Sequence, residues 1–474
     1  MLRSKPSFGL ILLLNFWVSL NLSADTPNVV FIYIDDLGYS DVGFMNAPHY
    51  QTPHIDQMAA GGMVFTNAYA AAPNCAPSRA CLMSGQYGPR HGIYTVGNSN
   101  RGKSQLRKLI PIKNKTILPT EVQTLGELFQ SADYKTAYMG KWHLGEPGST
   151  GPNEQGFDVN VGGNKTGTPK GGHFAPYDNP QLADPPGDEY LTDRLTDEAV
   201  AFIKANKEQP FLLFLSHYAV HTPIQAPSEL TKKYQRNAKQ LGINPKYAAM
   251  IESVDESVGK ICQALDDLSL QDDTLVIFYS DNGGHGKVTR CDPLRGGKGM
   301  MYEGGIRVPL AMRWPAKIAK GSQCDVPVHG VDFYETFRVM LDAEAPEGQP
   351  LDGANIMPLL TGQSNSLERP LFWHFPAYLQ GKGYPGAPDA EFRARPFSAV
   401  RDGKWKLVET FEDNQVQLFN LTEDLAETTD VADQHPEVVQ QLKETLDQWR
   451  TEINAPIPSA LNPEYQGRKA GVEK

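Results

Sequence analysis

The chain has 474 residues, enough to bury a large hydrophobic core and to form more than one domain. Apolar residues make up 40% and charged residues 21%, the proportions of an ordinary soluble globular protein. The formal net charge of −11 argues against nucleic acid as a bulk electrostatic partner, although a local group of cations could still bind an anionic substrate.

The N-terminus has the pattern of a secretory signal peptide. Arg3 and Lys5 form a positive region, residues 8–22 are mostly apolar, and Ser23-Ala24 completes a small-residue cleavage site. We therefore expect residues 1–24 to be removed and the mature protein to be exported, periplasmic or secreted, without membrane contact; a retained anchor is the alternative. Export would allow disulfides, whose pairing the sequence does not determine, among Cys81, Cys262, Cys291 and Cys324.

The first predicted strand ends in two adjacent carboxylates. Residues 28–34 form a continuous apolar run, which is typical of a strand covered on both faces by helices. Asp35 and Asp36 follow directly, and two such charges repel each other unless a cation lies between them. The sequence therefore indicates a metal site here, with a solvated turn as the alternative.

The segment 73–85 contains an unusual pentapeptide, Cys75-Ala76-Pro77-Ser78-Arg79. A cysteine two residues before a proline and four before an arginine does not fit an ordinary core position. The alternative is a small buried or disulfide-bonded cysteine beside a turn-forming proline.

A predicted helix and a short predicted strand follow. Thr124 and Glu127 form a capping box for a helix that runs toward Ala132. The strand at 136–139 leads into Gly140-Lys141-Trp142-His143-Leu144-Gly145, whose glycines permit close approach of a ligand to the backbone. Lys141 and His143 add a positive charge and a titratable base, although a purely structural loop is the alternative.

Two amphipathic helices are predicted on either side of the next strand. They span residues 193–206 and 245–268, and the strand between them spans residues 210–216. His217 directly follows this strand and is expected to be structural, whereas His221 is a candidate general acid. Helices alternating with buried strands predict an α/β fold with a mostly parallel or mixed sheet, in which ligands bind at the carboxyl ends of the strands.

The strand predicted at 274–280 also ends in polar residues, Asp281 and Asn282. Together with the first carboxylate pair they form an oxygen-only set, which suits Ca²⁺ or Mg²⁺ rather than Zn²⁺. Residues 294–309 then form a glycine-rich basic loop around Lys298, suited to an oxyanion but without the spacing of a nucleotide-binding P-loop.

The character of the sequence changes near residue 360. We predict a large α/β domain over residues 25–360 and a linker or substrate loop, rich in Gly, Pro and aromatic residues, over 361–395. Residues 396–456 are predicted to form a small antiparallel sheet with a terminal helix, and 457–474 a loosely ordered tail.

Taken together and in this order, the motifs resemble those of the type I sulfatase family. They are Asp35-Asp36 and the segments 75–85, 140–145, 221–223, 281–284 and 294–299, and residues 399–407 are similar to the family's C-terminal subdomain. The resemblance covers roughly residues 27–455. It implies an alkaline-phosphatase-like fold, a sulfatase (sulfuric ester hydrolase) activity and conversion of Cys75 to formylglycine by a maturation enzyme.

The resemblance also implies a role for each candidate residue. One Ca²⁺, with Mg²⁺ as the alternative, would be bound by Asp35, Asp36, converted Cys75, Asp281 and Asn282. Arg79 and Lys141 would hold the formylglycine, and His143 would hydrogen-bond its hydrate. His221 would protonate the departing alcohol, and Lys298 would bind the sulfate.

The expected substrate is a sulfated carbohydrate, and a 4-sulfate of galactose or N-acetylgalactosamine is the first candidate. Trp373, His374 and Tyr378 are candidate sugar contacts; packing of this aromatic stretch between two domains is the alternative. Two other functions stay open: a phosphonate or phosphate ester hydrolase of the same superfamily, and a non-catalytic protein that binds sulfated glycans.

Overall fold

The computed structural model describes residues 26–47 and 49–468. The signal peptide predicted for residues 1–24 lies outside the described residues and stays a prediction. Among the helices that are described, none combines the length and the apolar character that a membrane span requires.

The regular elements of the described chain are as follows. The strands are β1 (Asn28–Ile34), β2 (Met63–Phe65), β3 (Ala68–Tyr69), β4 (Lys135–Gly140), β5 (Val159–Val161), β6 (Phe211–Ser216), β7 (Thr274–Ser280), β8 (Leu310–Arg313), β9 (Ser322–Cys324), β10 (Val328–His329), β11 (Leu371–Phe375), β12 (Leu379–Gln380), β13 (Phe392–Ala394), β14 (Phe397–Asp402), β15 (Trp405–Thr410) and β16 (Val416–Asn420). The α-helices are α1 (Pro53–Ala60), α2 (Cys75–Ser84), α3 (Gly88–His91), α4 (Leu125–Ser131), α5 (Leu191–Ala205), α6 (Ser228–Gln235), α7 (Ala238–Leu241), α8 (Pro245–Asp267), α9 (Glu303–Ile306), α10 (Asp332–Met340), α11 (Met357–Leu360) and α12 (Pro436–Glu452). Short 3-10 helices span Gly43–Met45, Ser104–Leu106, Asn153–Gln155 and Ala432–Gln434.

A mixed eight-stranded sheet lies at the centre of the large domain, in the order β5-β4-β6-β1-β7-β8-β2-β9. Strand β1 pairs in parallel with β6 and β7, and β4 pairs in parallel with β6. Strand β8 runs antiparallel to both β7 and β2. The carboxyl ends of β4, β6, β1 and β7 therefore meet at one edge of the sheet, and the predicted α/β fold with a mixed sheet is confirmed.

Helices cover this sheet on both faces. Phe31 and Tyr33 of β1 face the core shared with α2, α4 and α10, whereas Val30 and Ile32 face the core shared with α1, α5 and α8. Successive strand residues point to opposite faces, so a strand buried on both must be apolar throughout. This explains the continuous apolar runs in the sequence. The capping box of Thr124 and Glu127 is present at the start of α4, as predicted.

A four-stranded antiparallel sheet, ordered β11-β14-β15-β16, forms the C-terminal part together with α12. Its first strand, β11, lies inside the segment 361–395 that we predicted as a linker, and Trp373 pairs there with Ala399 of β14. The Gly, Pro and aromatic content of the segment suggested a loop, but Pro370 and Pro376 lie just outside the five paired residues, where proline does not interrupt the ladder. The sheet therefore begins earlier in the chain than predicted.

The described part of the tail is held against the large domain, in contrast to the loose order that we predicted. The Ile110 N–H donates to Ala460 O at 2.8 Å, and Asn462 Nδ2 donates to Ser104 O at 2.8 Å. Arg468 forms an ion pair with Glu412. All five cysteines are described, and none of them forms a disulfide.

Candidate active site

The structure brings the four predicted metal ligands together at the carboxyl edge of the central sheet. Asp35 and Asp36 follow β1, Asp281 and Asn282 follow β7, and all four are buried. The Asp36 N–H donates to Asp281 Oδ1 at 3.2 Å, and Asn282 Nδ2 donates to Asp36 Oδ1 at 2.9 Å. The parallel pairing of β1 with β7 is what places the two motifs side by side.

Each carboxylate of this group has its own cation. Lys141 Nζ lies 2.5 Å from Asp35 Oδ2, and Lys298 Nζ lies 2.6 Å from Asp36 Oδ1. Arg79 Nη2 lies 2.8 Å from Asp281 Oδ2. Burial raises the pKa of Asp36, but Lys298, His221 and Lys141 together outweigh it, so this pKa lies far below its ordinary value. Burial raises the pKa of Asp281 to about 6 although Arg79 opposes it, so Asp36 is the carboxylate of the group most strongly held in its charged form.

Three oxygens of the group are left without a hydrogen bond: Asp35 Oδ1, Asp36 Oδ2 and Asn282 Oδ1 are buried and have no partner among the described residues. A buried acceptor without a partner costs free energy, which a bound cation would recover. Because all three atoms are oxygens, the residues fit Ca²⁺ or Mg²⁺. One atom each of Asp35, Asp36, Cys75 and His221 lie within 4.8 Å of one another.

Cys75 is the first residue of α2 and is 1% exposed. Lys298 Nζ lies 3.2 Å from its Sγ. Burial raises the pKa of the thiol, but Lys141 and Lys298 outweigh it and hold that pKa well below its ordinary value. Position 75 therefore favours an anionic or strongly polar group.

Arg79 connects α2 to three strand ends. Its Nη1 donates to Lys141 O at 2.8 Å and to Ser216 Oγ at 2.5 Å, while Nε and Nη2 donate to Asp281. The guanidinium also lies 4.9 Å from the centre of the Tyr33 ring. A spacing of four residues puts Arg79 and Cys75 on one face of the helix, which explains the form of the pentapeptide.

His143 lies beside Cys75 in the loop after β4. Gly140, three residues before His143, has a φ of 98°. A Cβ at this position would lie 1.9 Å from Ser216 O, so only glycine allows the two backbone segments to approach this closely. Gly167 faces the imidazole, and a Cβ at that position would lie 2.4 Å from His143 Cε1. Burial lowers the pKa of His143 to about 4 although Cys75 opposes this, so the ring is neutral at pH 7.

His221 is the one sequence-predicted acid of the site, and it faces Asp36. Its Nε2 lies 3.7 Å from Asp36 Oδ2, and its Nδ1 donates to Thr222 O at 2.7 Å. Burial and Lys298 lower the pKa of His221, but the nearby carboxylates of Asp35 and Asp36 raise it, and the pKa lies above its ordinary value. The ring is therefore held by Nδ1 and can carry a transferable proton on Nε2.

The structure does not make a sugar platform of Trp373, His374 and Tyr378. Trp373 and Tyr378 are fully buried; Trp373 Nε1 donates to Ala70 O at 2.9 Å, and Tyr378 bonds Glu412. His374 lies between Ser398 Oγ at 2.7 Å and Pro456 O at 3.0 Å. These side chains pack between the two parts of the chain, which was the alternative interpretation, because their polar atoms are already satisfied inside the protein.

Three further residues lie next to the cluster and were missed. His285 follows Asn282 by three residues, so its position after a strand end was a usable signal. Its ring lies 5.4 Å from that of Tyr384, and the guanidinium of Arg393 lies 4.8 Å from the Tyr384 ring. Tyr384 and Arg393 belong to the segment read as a linker, in which no pattern distinguished them from their neighbours.

Comparison with known proteins gives consistent matches over most of the chain. A family model described as Sulfatase matches residues 27–342, and one described as N-sulphoglucosamine sulphohydrolase, C-terminal, matches residues 297–452. A protein named Sulfatase from Formosa agariphila is 31% identical, over 91% of this chain and 90% of its own. N-acetylgalactosamine-6-sulfatase from Homo sapiens is 30% identical, over 73% of this chain and 68% of its own. The solved structure of Ps i-CgsB in complex with k-i-k-neocarrahexaose has a TM-score of 0.74 and 31% identity, covering 90% of this chain and 92% of that chain.

Proposed function

Because this chain belongs to the sulfatase family, we propose that it is an exported enzyme that removes sulfate from carbohydrates through a formylglycine at position 75 and a divalent cation. Two of the similar proteins support a carbohydrate substrate by their names: one is an N-acetylgalactosamine-6-sulfatase, and the other is the structure of Ps i-CgsB in complex with k-i-k-neocarrahexaose. The N-terminal pattern supports export after removal of residues 1–24.

The observation that carries the proposal is the position of Lys298. Its Nζ lies 3.2 Å from Cys75 Sγ and 2.6 Å from Asp36 Oδ1, so one cation connects the modified position to the metal ligands. A sulfate ester placed at position 75 would meet this ammonium on entering the site. The charge-assisted contact suits the sulfonyl oxygens of the substrate.

A divalent cation and the formylglycine at position 75 complete the proposed chemistry. Asp35, Asp36, Asp281, Asn282 and residue 75 would hold Ca²⁺, or Mg²⁺, which supplies positive charge opposite the reacting sulfate. Formylglycine would be made from Cys75 by a maturation enzyme. Its hydrate would supply one hydroxyl as the nucleophile and a second hydroxyl whose loss of a proton restores the aldehyde, which breaks the bond from carbon to the sulfate-bearing oxygen and releases sulfate.

The side chains around position 75 divide the remaining tasks. Protonated His221 gives the proton on Nε2 to the departing sugar oxygen, while Thr222 O keeps the ring in place through Nδ1. Neutral His143 accepts a proton from the residue at position 75. Lys141 and Lys298 offset negative charge that develops on the sulfonyl oxygens, and Arg79 positions Asp281 and the backbone of Lys141.

The decisive experiment is a desulfation screen on defined saccharides. The protein is produced with a formylglycine-generating enzyme, conversion of Cys75 is measured by peptide mass spectrometry, and released sulfate is quantified by ion chromatography. We expect turnover of sulfated sugars, with 4-sulfated and 6-sulfated galactose and N-acetylgalactosamine as the first probes, and none by Cys75→Ala. The same spectra of exported protein identify the mature N-terminus.

Three results would overturn the proposal. An unmodified thiol throughout, in a host that carries the maturation enzyme, would contradict the nucleophile. Faster cleavage of aryl phosphate than of aryl sulfate would favour a phosphate ester hydrolase. Binding of sulfated glycans without release of sulfate would favour a non-catalytic protein.

A further inference from the structure

A second group of cationic side chains lies next to the catalytic cluster and takes no part in the chemistry described above. We call it the arginine wall. It consists of Arg101, Arg393 and the Tyr384 ring, against which the Arg393 guanidinium lies. Arg393 Nη1 donates to the backbone oxygen of Lys298 at 3.2 Å, so the wall contacts the residue whose ammonium group is proposed to bind sulfate. His285, which follows the metal-ligand motif, connects the wall to the cluster through its ring contact with Tyr384.

The β12–β13 hairpin brings Arg101 close to the strand that carries Arg393. Phe392, beside Arg393 in β13, pairs with Gln380 of β12, and Gln380 Oε1 accepts a hydrogen bond from Arg101 Nε at 3.1 Å. Both arginines are half-buried and therefore remain accessible. Burial lowers the pKa of Arg101, and repulsion by nearby Arg393 lowers it further.

Neither guanidinium is neutralised within the described part of the chain. Arg101 and Arg393 form no ion pair there, and Arg393 Nε is buried without a hydrogen-bond partner. Arg395, two residues further along the same strand region, is by contrast paired with Asp389, Glu412 and Asp413. Two like charges near one another without a counterion are unfavourable, and an anion that contacts both would reduce the repulsion.

The scissile sulfate does not account for this charge. Lys141, Lys298 and Arg79 are each paired with one carboxylate of the cluster, so the proposed divalent cation is enough to offset the one negative charge of a monosulfate ester. A planar guanidinium forms bidentate contacts with carboxylate and other oxyanions, which suits a second acidic group on the sugar.

We propose that the arginine wall binds a second anionic group, a sulfate or a carboxylate, on the saccharide whose sulfate ester lies at position 75. The enzyme then prefers doubly charged saccharides over singly charged ones. This inference rests on the proposed sulfatase function, and Arg101 and Arg393 act in it as specificity-determining residues.

The test compares kcat/KM for formylglycine-bearing wild type, Arg393→Gln, Arg101→Gln and Arg393→Lys. The control is Lys382→Gln, which removes one positive charge from an exposed position of the same hairpin. The probes are nitrophenyl sulfate, a monosulfated galactose disaccharide, its disulfated counterpart, and a monosulfated disaccharide that carries a uronic carboxylate.

We expect each Arg→Gln variant to lose about 10-fold to 100-fold in kcat/KM on the doubly charged probe, mainly through KM, as removal of one charge-assisted hydrogen bond would produce. The singly charged probes and Lys382→Gln should change by less than about threefold, the size of an exposed charge effect. Arg393→Lys should recover part of the loss. Added salt should reduce the preference of the wild type but not that of the variants. Whichever doubly charged probe is favoured identifies the second group as sulfate or carboxylate.

Equal losses on every probe would overturn the inference, because Arg393 would then only support the Lys298 backbone. A wild type without preference for doubly charged saccharides would overturn it as well. Failure of the proposed function is a different result, in which formylglycine-bearing wild type releases sulfate from none of the probes, and it would remove the basis of the inference too.

Discussion

At the scale of single residues, the fixed orientation of His221 determines which substrates depend on it. With Nδ1 bonded to Thr222 O, only Nε2 can pass a proton to a leaving group. A sugar alkoxide is strongly basic and needs that proton, whereas nitrophenolate leaves readily without it. The proposed role therefore predicts a dependence on the leaving group.

We expect His221→Ala to lower kcat on a sugar sulfate by about 10²-fold to 10⁴-fold, the usual contribution of general acid catalysis, and on nitrophenyl sulfate by less than about 10-fold. Steady-state kinetics of both substrates with one enzyme preparation measure this difference. Similar losses on the two substrates would assign His221 to binding or folding instead.

Asp41 is a buried carboxyl group outside the catalytic set. Three donors surround it: Tyr247 Oη at 2.6 Å, Thr289 Oγ1 at 2.6 Å and the Gly38 N–H at 2.8 Å. Burial raises the pKa of Asp41 to about 6 despite these hydrogen bonds. The Asp41 carboxyl group thus binds its proton more tightly in the native state than in the unfolded state.

Asp41 should therefore contribute fully to stability below about pH 4, the range of an ordinary Asp pKa. This contribution should be lost as the pH rises through about 6, which lowers the free energy of unfolding by about 3 kcal/mol. Urea unfolding of wild type and Asp41→Asn from pH 4 to pH 8 measures it, because the difference between the two isolates this group. We expect wild type to lose stability relative to the variant over that interval; the opposite slope would contradict the assignment.

At the scale of elements, a buried ion network joins α9 of the large domain to β15 of the C-terminal sheet. Lys406 Nζ lies 2.9 Å from Glu303 Oε1 and 2.8 Å from Glu427 Oε1, and all three side chains are fully buried. The Glu303 N–H also donates to Glu427 Oε2 at 2.6 Å. Because one lysine serves two carboxylates, its removal would leave Glu427 without a cation and Glu303 with Arg307 alone, 3.3 Å away.

Lys406→Met should lower the free energy of unfolding by about 3–5 kcal/mol, the cost of uncompensated buried charge. Urea unfolding at pH 7 measures the loss. The matched control is Lys404→Met, whose side chain is exposed in the adjoining turn and which should change stability by less than about 0.5 kcal/mol. A loss no larger than that of the control would show that the network adds no net stability.

The elements that could be predicted from sequence are those with a clear pattern of apolar residues and clear polar residues at their ends. Strands β1, β6 and β7 were recognisable because burial on both faces requires long apolar runs, and their polar ends indicated Asp35, Asp36, Asp281 and Asn282. Strand β11 was missed because its five residues lie between prolines. Arg101 and Arg393 were not predictable at all, since they meet through contacts between segments far apart in the chain.

At the scale of the whole molecule, the C-terminal sheet and the large domain share a hydrophobic core. One apolar cluster joins Cys81 and Tyr87 of the large domain to Phe372, Leu446 and Trp449 of the C-terminal part. The Phe372 and Trp449 rings stack at 4.6 Å, and the Tyr87 ring meets Trp449 edge-on at 5.4 Å. A shared core of this kind couples the stability of the two parts, so a ligand bound in one stabilises both.

Cation binding should therefore stabilise the whole chain. The acceptor oxygens of Asp35, Asp36 and Asn282 lack partners without an ion, and a cation that binds only the native state at about 100 times its Kd adds about 2.7 kcal/mol. Thermal unfolding of chelator-treated, formylglycine-bearing protein measures this as Ca²⁺ or Mg²⁺ is titrated back, with sulfate release followed in parallel. We expect the midpoint and the activity to rise together, and Asp36→Asn to need far more cation for both. Recovery by Zn²⁺ alone would contradict an oxygen-ligated hard cation, because the site offers Zn²⁺ no thiolate once position 75 is converted.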